Sequence, residues 1–482
     1  MRTLLFLAPL ALFTAPAAAQ DDLKSEVESI LAGAGPGTRW GIMVADSAGR
    51  EILVIDADKR FVPASNTKIY TTAVTMDAIA NGTLPERSGA GTTVRFEGTG
   101  KARDVILEGR GDPHMSSAQD CVRNCLSTLA DAVAANVRTV RNVVGDDSRF
   151  PDQRWSPGMS WNNIPTRSGT GISALSVDDN EIHASVAPGE PGGPPIVSLP
   201  AYYTLRNLAV TVPGDKVEIG YDREPNGQEL VMTGSIGELA KPSLLRLGVD
   251  DPAHYAAWKL AEMLRARGVR VTGNVQSRHR PLLPSDDPKL RGSTPPEQSP
   301  TRSALAGLEP PMLGETVTTV NKVSQNLYAE LLLRRVGCIA GTCSIADGQA
   351  AVTAMLAKGG VPEGTVSLSD GSGMSSYNRV TPRATATLLG WIAKQPWGAD
   401  FRATLPIGGS DGTLGRRFAG TPLAMKVFAK TGSLNATNAL AGYMTTATGK
   451  DLTFAIYAND VPDEVRSTQF MDRALIAIAA AN

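Results

Sequence analysis

The sequence predicts an α+β fold in which an antiparallel sheet is flanked by helices and carries inserted β-rich domains. Two observations predict this architecture. Strand-like segments near both ends of the chain, with helices between them, have the pattern of one sheet assembled from the two termini. The long middle of the chain instead contains short valine-rich segments separated by turns rich in proline and glycine. The 482 residues are therefore expected to form a discontinuous main domain that carries an insertion.

The N-terminal part of the main domain begins with a short helix predicted at 23–31. Residues 40–44 and 51–55 are strand-like and are joined by a short turn, which is the signature of a hairpin. Apolar residues then recur at helical spacing from Ser65 onward until a glycine ends the pattern. Ser65 is thus predicted at the start of a helix, with Lys68 one turn later on the same face.

The C-terminal part is predicted to supply three strands, at 425–430, 439–444 and 452–458, and a closing helix at 463–480. The middle of the chain adds one amphipathic helix at 253–267 to its strand candidates. A proline-dense connector leads from the middle back to the C-terminal part. The predicted boundaries are 20–82 and 294–482 for the main domain, 83–180 and 250–290 for the inserted domain, and 181–249 for a second, nested β-rich domain.

Residues 1–19 have the features of a secretory signal peptide. Arg2 precedes an apolar run at 4–13, and small residues at 17–19 offer a cleavage site. This run is far shorter than the ~20 residues that a membrane span needs, so the mature chain is expected to be exported and soluble. The formal net charge of -1 gives no electrostatic support for nucleic-acid binding.

The four cysteines form two local pairs, Cys121 with Cys125 and Cys338 with Cys343. In an exported protein two small disulfide loops are the simplest interpretation. A zinc site and unpaired thiols are the alternatives. The zinc interpretation is the weaker, because the pairs are far apart in sequence and no histidine stands near either at ligand spacing.

Three short strings carry the chemistry of the chain: SNTK at 65–68, SQN at 324–326 and KTG at 430–432. The first is the only serine followed three residues later by lysine, and the third occurs once. A serine at a helix N-terminus presents its own N–H to an oxyanion, and a neutral lysine one turn later can take its proton. Such a lysine must be partly desolvated or close to another cation, and Lys430 is a candidate second cation that would lower the pKa of Lys68 and anchor an anionic substrate group.

Each string also has a plain structural explanation: a helix N-cap, a polar helix surface and a strand end before a turn. Their joint occurrence in this order, after a signal peptide, favours the catalytic interpretation. A rival Gly-x-Ser-x-Gly string at 408–412 lacks the helix and the later histidine that a nucleophile elbow requires. The four histidines are scattered without metal or triad spacing and are read as surface or structural residues.

The ordered set resembles the active site of serine penicillin-recognising enzymes. With the further strings GDP at 111–113, DGSGMS at 370–375 and NRVTP at 378–382, the chain is similar to the D-alanyl-D-alanine carboxypeptidase/endopeptidase family, the low-molecular-mass class C penicillin-binding proteins. The likeness spans most of the mature chain. That family carries a large insertion between its first two motifs, and the separation of these motifs here is too great for a compact β-lactamase.

The resemblance implies that Ser65 is acylated by the penultimate D-Ala of a peptidoglycan stem peptide, with Lys68 as the base. Ser324 and Asn326 would relay a proton to the leaving amine and orient the substrate amide. No metal or organic cofactor is implied. An esterase, a β-lactamase or a non-catalytic peptidoglycan-binding protein of the same fold are the alternatives. Loss of Ser65 or Lys68 would mark the last of these, and both are present.

The resemblance also implies that Lys430, Thr431 and Ser433 bind the terminal carboxylate, and that the N–H groups of Ser65 and Ser433 form the oxyanion hole. Ser433 replaces the commoner threonine, which keeps the hydroxyl. β-Lactams would be inhibitors and the periplasm the site of action, with peripheral membrane association and the oligomeric state left open.

Asp146 matches the acidic residue that, in this family, meets the free amine of a diaminopimelate side chain. The alternative is that Asp146 caps a turn beside Asp147 and Ser148. Ser376 stands where relatives usually carry arginine, which puts one contact to the charged stem side chain in doubt.

Overall fold

The computed structural model describes residues 17–87, 91–100, 103–297 and 302–482, with side chains from Asp21 onward. Most of the predicted signal peptide, residues 1–16, lies outside these residues. The helices are α1 (Ala17–Ala32), α2 (Thr67–Ala80), α3 (Leu126–Asn136), α4 (Pro252–Ala266), α5 (Pro288–Arg291), α6 (Leu313–Lys322), α7 (Asn326–Gly337), α8 (Ile345–Lys358), α9 (Pro382–Ile392), α10 (Gly398–Thr404) and α11 (Ser467–Ala480).

The strands follow the chain in the same way. They are β1 (Arg39–Asp46), β2 (Glu51–Ile55), β3 (Thr93–Glu97), β4 (Asp104–Glu108), β5 (Thr139–Val140), β6 (Val143–Pro151), β7 (Glu181–Ala187), β8 (Ile196–Ser198), β9 (Thr204–Asn207), β10 (Val210–Val212), β11 (Val217–Asp222), β12 (Glu229–Gly237), β13 (Ser243–Gly248), β14 (Arg270–Val271), β15 (Val275–Arg280), β16 (Ala306–Gly307), β17 (Val366–Ser367), β18 (Arg379–Val380), β19 (Val427–Leu434), β20 (Thr437–Thr445) and β21 (Asp451–Asn459).

The central sheet is antiparallel and combines strands from both ends of the chain, in the order β19-β20-β21-β1-β2. The N-terminal and C-terminal strands of this sheet meet where β1 pairs with β21, and Ile42 lies opposite Ile456 in that pairing. The predicted fold class, an antiparallel sheet built from the two termini and flanked by helices, is confirmed.

The two faces of this sheet are covered by different helices, as the alternation of side chains along β21 requires. Phe454 and Ile456 pack in one core with α1 and α11. Ala455 and Tyr457 point the other way, into a core shared with α2, α7, α8 and α9. The second face therefore carries α2, the helix that follows Ser65.

The middle of the chain, between α2 and α6, is called the insert below. Its main sheet has the order β15-β6-β4-β3-β16 and shares a separate core with α3 and α4. Two smaller sheets, β13-β7-β8 and one of β9 to β12, account for the predicted nested β-rich segment. Within the proline-dense connector, β16 pairs with β3, so residues assigned to the main domain from sequence extend the sheet of the insert.

Both predicted cysteine pairs are disulfides, Cys121 to Cys125 and Cys338 to Cys343. Among the described residues, no cluster of histidine, cysteine, aspartate or glutamate has the arrangement of a metal site. A search of the same residues finds no helix with the length and apolarity needed to cross a membrane.

Candidate active site

Ser65 lies in a single 3-10 turn, Ala64–Asn66, that runs directly into α2. The helix predicted to start at Ser65 therefore starts two residues later, and a tighter turn carries the serine. Ala64 has a φ of +46°. Gly373 lies against this turn so closely that a Cβ on it would be 1.9 Å from the Ala64 carbonyl oxygen. The position of Ser65 is thus fixed by packing against a distant loop as well as by α2.

Lys68 is fully buried one turn after Ser65 and has three hydrogen-bond partners. Its Nζ lies 3.0 Å from Ser65 Oγ, 2.7 Å from Asn326 Oδ1 and 2.5 Å from the Ser372 carbonyl oxygen. Two of the three partners are carbonyl oxygens, which only accept hydrogen bonds. The serine hydroxyl is the one partner that can also donate.

Burial lowers the pKa of Lys68 to about 7, because a desolvated ammonium is costly. Asp370 and Glu330 act in the opposite direction, since their negative charges favour the ammonium form and raise the pKa. The outcome is an amine that exchanges its proton near neutral pH, the range in which a general base is most effective.

Ser324 lies between α6 and α7, and Asn326 is the first residue of α7, where it contacts Lys68. Ser324 has a φ of +61°, a conformation that side chains other than glycine rarely adopt, and this turn separates the two helices. Asn326 accepts from Lys68 through Oδ1 and donates through Nδ2 to the Ser168 carbonyl oxygen at 3.1 Å. Asn326 of the SQN string is therefore hydrogen-bonded both to Lys68 and to the insert.

Lys430 is fully buried on β19 and donates to Ser324 Oγ at 2.9 Å. Burial lowers its pKa well below the usual range, and the nearby Lys68 lowers it further. The sequence offered two causes for a lowered pKa of Lys68, partial desolvation and a nearby cation such as Lys430. Burial is the cause that lowers the pKa of Lys68, whereas burial and the charge of Lys68 both lower the pKa of Lys430.

The remaining residues of the third string line the edge of β19. A Cβ on Gly432 would lie 2.6 Å from the Pro63 carbonyl oxygen and 3.1 Å from Ser65 N, so only glycine lets the strand approach the serine this closely. Thr431 Oγ1 donates to Thr413 Oγ1 at 2.7 Å. Ser433 is exposed and donates to Asn438 Oδ1.

The structure thus brings together Ser65, Lys68, Ser324, Asn326 and Lys430, with Thr431 and Ser433 on the same strand. Asp146 is not part of this cluster. Its buried carboxylate on β6 accepts from Ser148 N and Oγ and from Arg278 Nη1 at 3.1 Å. These contacts are those of the turn-capping alternative, strengthened by an ion pair.

Three residues at the site were not singled out from the sequence. The Ser168 carbonyl comes from the insert, and Thr413 comes from a 3-10 turn, Gly412–Leu414, next to the rejected nucleophile-elbow string. Glu330 lies one turn after Asn326 on α7 and accepts from two backbone N–H groups of the 370–375 loop. Only Glu330 left a signal in the sequence, as an acidic residue one helical turn after a motif residue.

A buried lysine of lowered pKa beside a serine, with a second serine and lysine across the same cleft, is the arrangement of a serine hydrolase that uses lysine chemistry. The comparisons with known proteins agree. The D-Ala-D-Ala carboxypeptidase 3 (S13) family profile matches residues 23–480. The chain belongs to this family and is an enzyme of the serine-type D-Ala-D-Ala carboxypeptidase class.

Individual relatives cover most of the chain. It is 33% identical over 481 residues to a D-alanyl-D-alanine carboxypeptidase of Actinomadura sp., which covers 95% of this chain and 84% of that protein. It is 28% identical to D-alanyl-D-alanine carboxypeptidase DacB of Haemophilus influenzae, over 74% and 72% of the two chains. The crystal structure of penicillin binding protein 4 (dacB) from Haemophilus influenzae superposes with a TM-score of 0.76 and 23% identity, covering 94% of this chain and 97% of that one. That protein has also been solved with a β-lactam.

Proposed function

We propose that this enzyme cleaves the D-Ala-D-Ala bond of peptidoglycan stem peptides through an acyl-enzyme on Ser65. One observation carries the proposal: Lys68 Nζ lies 3.0 Å from Ser65 Oγ while its other two partners are carbonyl oxygens. A neutral amine has two N–H groups and one lone pair. The two carbonyls engage both N–H groups, so the lone pair is directed at the hydroxyl proton of Ser65.

Two proton transfers accompany acylation, which leaves Lys68 protonated and Lys430 neutral. Lys68 takes the proton of Ser65 as its oxygen attacks the carbonyl carbon of the penultimate D-Ala. The tetrahedral oxyanion is stabilised by the N–H groups of Ser65 and Ser433. Ser324 receives a proton from its hydrogen-bond partner Lys430 and passes its own to the leaving amine of the terminal D-Ala. A water molecule then attacks the ester, its proton passes through Ser324 to Lys430, and Lys68 returns a proton to Ser65.

The terminal carboxylate of the substrate is held by Lys430, Thr431 and Ser433. Because burial and Lys68 disfavour the charged form of Lys430, a carboxylate placed beside it favours uptake of a proton at that amine. Binding of the substrate thus favours the ammonium form of Lys430, which then pairs with the carboxylate. Thr413 keeps the Thr431 hydroxyl in place along this edge.

The same acyl-enzyme chemistry supports endopeptidase action on D-Ala-diaminopimelate cross-links, since only the leaving amine differs. The role of Asp146 as the reader of a free side-chain amine stays a prediction. Its test compares a stem peptide that has a free side-chain amine with the acetylated peptide. Asp146→Ala should slow the first far more than the second, whereas equal losses favour the turn-capping role that its contacts support.

The sequence features of residues 1–19 support export of this enzyme to the periplasm, where its substrate lies. β-Lactams are expected to acylate Ser65 as substrate mimics, in line with the β-lactam complex of the structural neighbour.

Labelling of the mature protein with a penicillin tests the proposal. We expect one covalent adduct per chain, located at Ser65 by peptide mass spectrometry, and no adduct in Ser65→Ala. Labelling of Ser65→Ala at the parental level would disprove the acyl-enzyme. Turnover of a D-Ala-D-Ala peptide compared with hydrolysis of a β-lactam separates the carboxypeptidase from the β-lactamase and esterase alternatives. Labelling without turnover of either would indicate a non-catalytic binding protein.

A further inference from the structure

The Ser372 carbonyl that contacts Lys68 belongs to an irregular loop, so neither a sheet nor a helix fixes its direction. Backbone hydrogen bonds to acidic side chains do so instead. Gly371 N and Ser372 N both donate to Glu330 Oε1, at 2.9 and 2.8 Å. Further along the loop, Gly373 N donates to Asp370 Oδ1. Asp370 thus holds the peptide unit that carries the Ser372 carbonyl, and Glu330 holds the two peptide units before it.

The burial of the Glu330 carboxylate is explained by its contacts with the loop and with Arg334. Glu330 is 5% exposed on α7, and its second oxygen lies 3.3 Å from Arg334 Nη1. A buried carboxylate is costly unless it is paired and hydrogen-bonded. Glu330 meets that condition only through Arg334 and the two loop N–H groups, which ties its position to the loop.

Asn326 and Glu330 are four residues apart on α7 and lie on the same face of that helix. Asn326 supplies one carbonyl partner of Lys68 directly, and Glu330 binds the backbone N–H of Ser372, the residue that supplies the other. One face of α7 thus supplies or holds both residues that accept from Lys68.

We propose that Glu330 is a positioning residue for the acylation step: by binding Gly371 N and Ser372 N it fixes the loop segment from which the Ser372 carbonyl reaches Lys68, so that the lone pair of Lys68 faces Ser65. This inference rests on the proposed function of Lys68 as the base. Glu330 does not touch the substrate in this scheme and acts only through Ser372 and Lys68.

The charges around Lys68 give the role a measurable signature. Asp370 and Glu330 raise its pKa, Lys430 faces it across the cleft, and Arg334 pairs with Glu330 on the far side. Acylation needs neutral Lys68, so its rate should rise with pH to a plateau, with a midpoint near the Lys68 pKa. Removing the charge of Glu330 should lower that pKa and move the midpoint to lower pH.

Two substitutions distinguish the effect of the negative charge of Glu330 from the effect of the length of its side chain. Glu330→Gln keeps an oxygen for the loop N–H groups and removes the charge, so the midpoint should fall by about one pH unit. Glu330→Asp keeps the charge and withdraws the carboxylate by one methylene. Its midpoint should stay in place while the plateau rate falls about tenfold, because the carbonyl loses its support. Glu262→Gln on α4, which removes an exposed partner of Arg265, is the matched control and should change neither quantity.

The measurement is the rate of penicillin acylation from pH 5.5 to 9, with melting temperatures recorded for each variant. A lowered plateau in Glu330→Gln with an unmoved midpoint, or two variants that match the parent, would overturn the inference. If Glu330→Gln does not fold, Glu330→Asp decides: a lower plateau at an unchanged midpoint supports the inference, and a parental rate overturns it. A parent that forms no adduct would overturn the proposed function itself, and the inference with it.

Discussion

Replacement of Gly432 by alanine tests how closely β19 must approach the serine. The added Cβ would lie 2.6 Å from the Pro63 carbonyl oxygen and 3.0 Å from the Ala439 Cβ. Carbon and carbonyl oxygen atoms normally stay about 3.3 Å apart or more, so the strand and the turn must separate by roughly 0.7 Å. Both contacts involve backbone or a short side chain, neither of which can rotate away.

The size of the effect follows from this displacement. A shift of about 1 Å in a positioned group costs on the order of 100-fold in rate, so we expect Gly432→Ala to slow acylation about 10- to 100-fold. Overpacking of this kind also destabilises the fold by roughly 1 to 3 kcal/mol.

The assay is the rate of adduct formation with a fluorescent penicillin, combined with thermal unfolding. Gly390→Ala on α9 is the matched control, because nothing lies within 4 Å of its added Cβ. It should leave acylation unchanged and raise stability by roughly 0.5 to 1 kcal/mol. A Gly432→Ala protein that acylates within twofold of the parent would refute the reasoning from close approach.

Three further predictions follow from other parts of the molecule. Lys430→Ala should slow acylation by one to two orders of magnitude while the protein stays folded, because a charge-assisted hydrogen bond contributes roughly 1.5 to 3 kcal/mol; an unchanged rate removes Lys430 from the site. The intact mass without reductant should be about four daltons below the reduced mass, and alkylation of the native protein at thiols would contradict this. Hydrogen bonds to Asp147 and Asp251 raise the pKa of His279 from 6.5 to about 10. The stability that this imidazolium contributes should be complete below pH 6.5 and lost as pH rises through about 10, and denaturant unfolding of parent and His279→Gln should converge at high pH.

The sequence was sufficient to predict the central sheet and the motif residues that cluster at its edge. Alternating segments at both termini predicted strands that pair as β1 and β21 do, because side-chain period is a local property of the chain. The strings beginning at Ser65, Ser324 and Lys430 could be recognised because each has a defined order of residue types.

The contacts that the sequence left hidden are made by backbone groups or depend on long-range packing. The Ser168 carbonyl could be supplied by any residue type, so nothing in the sequence marks it. Thr413 contacts Thr431 only because two loops meet in the fold. The ion pair of Asp146 with Arg278 was equally hidden, because the two residues are more than a hundred positions apart in the sequence.

The pairing of β1 with β21 also governs the order in which the enzyme can be assembled. The core of the insert is complete once residues up to about 308 are present, whereas the central sheet must wait for β19 to β21. During synthesis from the N-terminus, the insert can fold while β1 and β2 still lack their neighbours. A growing or truncated chain therefore carries Ser65 and Lys68 without Lys430 or the Gly432 edge, and the proposed mechanism predicts that it is inactive. Hydrolytic activity is therefore expected only after β19 to β21 have been synthesised and have joined the sheet.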